Sequence, residues 1–158
     1  MIDLASFLGG VLRFRDRLKP PTGHLHYQVF RDEQLIEEVD DHNLIVIGSQ
    51  PTHARLLGGD VVNRSLTQIG FGTNGTPEAF GNAALTGAYV NNLQAPTYPA
   101  SNQVSFGFGL GTTEANGIAI SEFGLLTAGG TLYSRRTRAL PLNKASDITL
   151  AGTWVISF

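Results

Sequence analysis

A chain of 158 residues is long enough for one domain with a buried core, and its formal net charge of -2 creates no field that would draw it to nucleic acid or to an acidic membrane. The absence of cysteine excludes disulfides, thiolate zinc sites and thiol catalysis. With 19 glycines, 15% charged residues and many Thr, Val, Ile and Phe, the composition favours short strands and frequent turns, hence an all-β domain. Apolar runs such as Leu44 to Ile47 are too short to cross a bilayer. No basic stretch precedes an apolar core at Met1, so no secretory signal is expected.

Residues 1 to 20 read differently from the rest. Leu4, Phe7, Leu8, Val11 and Leu12 fall at helical spacing, although Gly9 and Gly10 weaken a helix by about 1 kcal/mol each. Arg13, Arg15, Arg17 and Lys19 follow, offset by Asp16, and Pro20-Pro21 stops the segment. The expected division is an N-terminal arm over 1–20 and one β-domain over 21–158. The arm either docks on a neighbouring subunit or folds back on its own domain. Leu4, Phe7, Leu8, Arg13, Arg15 and Arg17 are its candidate contact residues, and the expectation carried forward is packing between subunits. The basic run lacks the interleaved aromatics of a nucleic-acid surface beyond Phe14.

From His24 to Phe30, Leu25, Tyr27 and Val29 alternate with His24, His26 and Gln28. A turn over 31–34 and a return strand from Leu35 to Val39 make this a hairpin. His24 and His26 have a spacing that could chelate a metal, but no third ligand is marked, so two solvent-facing histidines and no metal are expected. Asp40 to Asn43 reads as a polar loop and Leu44 to Ile47 as a short buried strand. Gln50 to Leu57 is the strongest helix. Ser49 is placed to cap it, Pro51 suits its first turn, Gly58-Gly59 ends it, and Ala54, Leu56 and Leu57 form its apolar side.

Leu66 to Phe71 reads as a strand that runs into Gly70, Gly72 and Gly75, spaced G-x-G-x-x-G. A dinucleotide site would need a helix opening at the third glycine and an acid about twenty residues on. Pro77 and Gly81 break any such helix, and Asn91, Asn92 and Gln94 stand where the acid would be. A glycine-rich surface turn is expected, and no cofactor. Leu85 to Leu93 reads as a further strand and Ala95 to Asn102 as a Pro-rich loop. Val104, Phe106, Phe108 and Leu110 then point inward, while Gly107 and Gly109 leave the other face bare for close approach of another chain or of the chain's own loops.

Ala115 to Arg136 reads as two strands around a turn at Thr127 to Gly130, with Ala119, Ser121, Phe123 and Leu125 on one face and Ile118 and Ile120 on the other. Glu122, among apolar neighbours, reads as an exposed or hydrogen-bonded strand carboxylate without a partner acid or histidine for catalysis. The final strand puts Ile148, Leu150, Gly152, Trp154, Ile156 and Phe158 on one face, so Trp154 is expected in the core and no shaft or tail after Phe158. The count of eight or nine strands with one short helix predicts a β-sandwich or flattened antiparallel barrel.

A resemblance adds to this. The order is N-L-I-V from Asn43, a short helix ending Leu56-Leu57-Gly58, and I-G-F-G-T-N-G-T-P from Ile69. Then come A-L-T from Ala84, E-A-N-G from Glu114, E-F-G-L-L from Glu122 and a closing G-T-W-V-I-S-F. It resembles small virion proteins of tailed bacteriophages and is similar, more loosely, to the N-terminal attachment domain of phage tail-collar fibres, over Asn43 to Phe158. The resemblance implies a non-enzymatic structural subunit of the virion, assembled in the host cytoplasm. Its expected place is a tail-tip, baseplate or fibre-attachment position, or a capsid decoration on the head. Its expected partners are other phage structural proteins and copies of itself, a trimer among the options, with no nucleic acid and no membrane. A carbohydrate-binding sandwich, with Trp154 and Tyr98 as contact aromatics, is the alternative from another class.

Overall fold

The computed structural model describes residues 19–158; the candidate contacts Leu4, Phe7, Leu8, Arg13, Arg15 and Arg17 lie outside them. Among the described residues there are eight strands and one helix: β1 (Thr22–Arg31), β2 (Gln34–Ile45), α1 (Ser49–Leu57), β3 (Leu66–Gly72), β4 (Tyr89–Asn92), β5 (Gln103–Leu110), β6 (Ala119–Thr127), β7 (Leu132–Asn143) and β8 (Ile148–Ser157). All pairings are antiparallel, in the order β4-β3-β6-β7-β2-β1-β8-β5. The chain after β4 then reaches the free edge of β5. Gln94 N–H donates to the Gly107 carbonyl at 2.8 Å, and Thr97 exchanges two backbone bonds with Ser105. The sheet is therefore a flattened, nearly closed barrel, as its strand count and patterning predict.

Alternation fills the interior. Leu25, Tyr27 and Val29 of β1, Phe106, Phe108 and Leu110 of β5, and Ile148, Leu150, Trp154 and Ile156 of β8 all pack in one core. Phe71, Phe108, Phe123 and Tyr27 form its aromatic centre, with ring centroids 4.9 to 6.4 Å apart. Trp154 is fully buried, and its indole N–H donates to Asn43 Oδ1 at 2.7 Å. Each large aromatic removed from water contributes in proportion to its area, and the interlocking rings add orientation preferences.

Several elements differ from the sequence reading. Asp40 to Asn43 is strand, not loop: β2 continues through it, pairing Asp40 with His26 and Asn43 with Gly23. Its polar residues are compatible with a strand because alternate ones face solvent, while Asp41 and Asn43 find inward partners. The separate strand over 44–47 is therefore the end of β2, and Ile47 beyond it is exposed. Helix α1 starts as expected, but Gly48 occupies the cap position and no side chain caps it. Ser49 and Thr52 face inward instead, and Leu57, assigned above to the apolar side, is 90% exposed. Strand β4 is four residues long, because Gly87 at φ 54° holds the chain in a turn before it. Phe158 is 57% exposed, lying one residue past the last paired position of β8.

The largest shift is in β6. A bulge between Ile120 and Glu122 changes the phase, so Ile120 joins Phe123 and Leu125 in the core. Glu122, Gly124 and Leu126 consequently face outward, yet they too are buried. A long loop over 73–88 lies across that outer face.

Candidate functional site

The loop over 73–88 is held by one buried carboxylate. Glu122 Oε1 accepts the backbone N–H groups of Thr86 at 2.7 Å and Asn74 at 3.2 Å, and Glu122 Oε2 accepts Arg135 Nε at 2.6 Å. Arg135 donates onward to Asn82 Oδ1 at 3.1 Å and to the Asn74 carbonyl at 2.9 Å. Both side chains are essentially sealed from solvent. A buried ion pair is tolerable only when its remaining donors and lone pairs are satisfied, and here they are met by the loop itself. Of the two readings of Glu122, the hydrogen-bonded one holds and the exposed one is corrected.

The G-x-G spacing acquires a physical reason from this layer. A Cβ on Gly72 would lie 2.4 Å from Glu122 Oε1, and one on Gly70 would lie 2.4 Å from a Leu85 methyl. Bare backbone on the outer face of β3 lets the carboxylate and Leu85 lie flat over the strand. Leu85, Leu126, Leu132, Leu44 and Val46 form a small second core beneath the loop. Arg135 is the residue the sequence reading passed over. The available signal was the hairpin turn at Gly129-Gly130, which makes Gly124 and Arg135 cross-strand partners and Glu122 their same-face diagonal neighbour.

A second polar group bridges a gap in the barrel wall. Among the described residues, β2 and β7 pair through Leu44 and Ile45 alone and then diverge. Side chains span the opening. Arg136 pairs with Asp41 and, at 2.6 Å, with Glu78; Thr137 donates to Glu78 at 2.6 Å; Arg138 pairs with Glu37 at 2.8 Å and donates to the Tyr27 hydroxyl. The cleft so formed measures about 410 Å³. Burial by itself would push the Glu78 carboxyl up, but the hydrogen bonds from Thr137 and Arg136 hold it below the usual carboxylate range. Burial pushes the Tyr27 hydroxyl up to about 12, so it stays protonated. These groups are engaged with one another and tie Glu78 of the loop to the same seam.

The outer face of β1 and β2 carries the two histidines, with Leu25, Tyr27 and Val29 turned inward as predicted. His24 pairs with Asp40, and His26 with Glu38 at 2.8 Å, beside Gln28 at 3.0 Å. Hydrogen bonds from His26 and Gln28 lower the Glu38 carboxyl. Among the described residues no group of three or more His, Cys, Asp or Glu is arranged to hold a metal ion.

Gly107 and Gly109 lie on the bare face of β5, and the backbone that approaches them is the chain's own. A Cβ on Gly107 would meet Gln94 Oε1 at 2.3 Å, and Asn91 Nδ2 donates to the Gly109 carbonyl at 3.1 Å. The chain's own segment after β4 thus approaches this face, the second of the two occupants expected for it. Of the two aromatics of the carbohydrate alternative, Tyr98 is exposed and Trp154 is sealed inside.

Among the described residues, an apolar groove lies beside α1. His53, Leu56 and Leu57 of α1, Phe158 and the residues Lys19 to Pro21 line its volume of about 760 Å³. His53 bonds the Tyr133 hydroxyl at 2.8 Å, and burial lowers its pKa. No protein-family model, curated protein or solved structure matches the chain, so its surfaces stand on their own chemistry.

Proposed function

We propose that the chain is a non-enzymatic structural subunit of a tailed-phage virion, placed at the tail tip, baseplate or fibre attachment and assembling with copies of itself and with other phage structural proteins. The observation that carries this reading is the convergence of its motifs. The glycine-rich turn supplies Asn74, A-L-T supplies Thr86, and E-F-G-L-L supplies Glu122, and all three meet in one hydrogen-bonded knot. Motifs scattered over fifty residues thus build a single device, a long surface loop held rigid on a barrel wall. Long ordered loops without secondary structure of their own are unusual unless they are functional. A preformed loop presents a contact surface without a large ordering cost, which suits a subunit that must assemble. Both carboxylate oxygens of Glu122 are engaged in that knot.

The test is the state of the purified chain. Size-exclusion with light scattering is expected to give a discrete homo-oligomer, and a glycan array is expected to give no specific ligand. A monomer that binds one sugar class would overturn the structural reading in favour of a carbohydrate-binding module.

A further inference from the structure

We propose that the free edge of β2 along the barrel seam receives an extended strand of a partner protein, with basic residues on one face of that strand and apolar residues on the other. Among the described residues, β2 pairs with β1 from Gln34 to Asn43, but with β7 through Leu44 and Ile45 alone. Strand β7 bows away from β6 beside the seam. Its residues 138–141 stand against Ser121 alone, between the Ile120–Leu142 and Glu122–Thr137 pairs. Pro141 within the bow has no N–H to offer to β2. The His42 N–H, with no strand opposite it among the described residues, donates to Asp41 Oδ1 at 2.7 Å. In an antiparallel ladder the groups that point to one edge recur at every second residue, so Asp40 and Glu38 turn theirs to the seam as well. Such a row of unpaired backbone groups is a template for strand addition. Backbone bonds supply the affinity, and alternate side chains supply the selectivity.

Charge decides the occupant. Glu37, Glu38, Asp40 and Asp41 crowd this edge. A second copy laid antiparallel along the same edge would set acid against acid, which is destabilising. On the outer face, Glu38 and Asp40 have half or more of their side chains exposed, and their partners His26 and His24 lie on the β1 side, away from the seam. On the inner face, Glu37 and Asp41 are already held by Arg138 and Arg136. Between those pairs the cleft of about 410 Å³ is walled by Val39, Ala139, Leu140, Pro141 and Leu142. Leu140 is 75% exposed, so this wall is open to an incoming chain. A strand whose Lys or Arg residues meet Glu38 and Asp40 turns its alternate side chains into that cleft, where apolar ones fit. The inference does not depend on the virion reading, because it rests on the edge and its charges alone.

The test uses the full chain and two short synthetic peptides, one alternating Lys with Val and the other alternating Glu with Val. The Lys-Val peptide is expected to bind at least about tenfold more tightly than the Glu-Val peptide. It is also expected to slow amide exchange at Glu38 and Asp40, which exchange fast in the free chain. The variant Glu38→Lys/Asp40→Lys alters two exposed side chains and is expected to reverse the preference between the peptides, with an unchanged strand signature by circular dichroism. Equal binding of the two peptides, binding of neither, or binding of Lys-Val without slower exchange at these amides would overturn the proposal. Slow exchange at Glu38 and Asp40 in the free chain at every concentration would assign the edge to the chain's own residues. Slowing that grows with protein concentration, without peptide, would assign it to a second copy. Either result would overturn it too.

Discussion

Glu122 and Arg135 hold one another in a site closed to water, so neither can be removed alone without cost. Arg135→Met leaves the carboxylate buried without its counter-ion and is expected to cost about 3–5 kcal/mol, read by urea unfolding. The double variant Glu122→Gln/Arg135→Met is expected to cost much less than the sum of the two single changes, because it removes both charges together. Additive effects would show the pair to be uncoupled. Trp154→Ala is expected to cost on the order of 3–5 kcal/mol through the cavity it leaves, and it also orphans Asn43 Oδ1. Native Trp154 fluorescence is expected to resist acrylamide quenching. His53 gives a pH signature. Burial lowers its pKa below the ordinary 6.5, so the unfolded chain binds the proton first as pH falls. Stability is therefore full above about 6.5 and declines as pH drops below it. His53→Phe is expected to flatten that slope, and an unchanged pH dependence between 7 and 5 would contradict the assignment.

At the level of elements, alternation made β1, β5 and β8 legible, since each buries one face and the apolar residues recur at every second position. The turn at Gly129-Gly130 was legible too, with Gly130 at φ 85°. Strand β6 was not. Its apolar residues cover both faces, because one lies under the barrel and the other under the loop, and a bulge then changes their phase. Periodicity carries no information about a covering segment from fifty residues upstream. Helix α1 misled for a related reason: its leucines face a groove, while small Ser49 and Thr52 pack inward where the helix comes close to the barrel. The loop over 73–88 should therefore respond to Arg135 more than any strand does. Arg135→Met is expected to speed amide exchange at Asn74 and Thr86 selectively; uniform exchange across the barrel would mean that the knot supports the whole fold instead. On β5, Gly109→Val is expected to cost clearly more than the ~0.5 kcal/mol of an ordinary surface change. Its added Cβ would press on the Leu150 carbonyl at 2.9 Å, and backbone cannot swing aside. A fully stable Gly109→Val protein would show that β5 can shift without penalty.

For the whole molecule, the barrel, its pinned loop and its bridged seam describe a rigid body whose inside is filled with side chains. Composition and strand count were enough to predict that architecture. Contacts between parts distant in sequence, such as Arg136 with Asp41 and Glu78, were beyond pattern reasoning because they depend on closure of the barrel. The role proposed for this body is a place in a phage particle, and location is what distinguishes it from every rival. The decisive measurement is gold labelling of the tagged chain in intact, purified particles. The account expects label at the tail tip or the base of the fibres. Label distributed over the head would assign the chain to capsid decoration instead, and particles free of label would contradict the virion reading altogether.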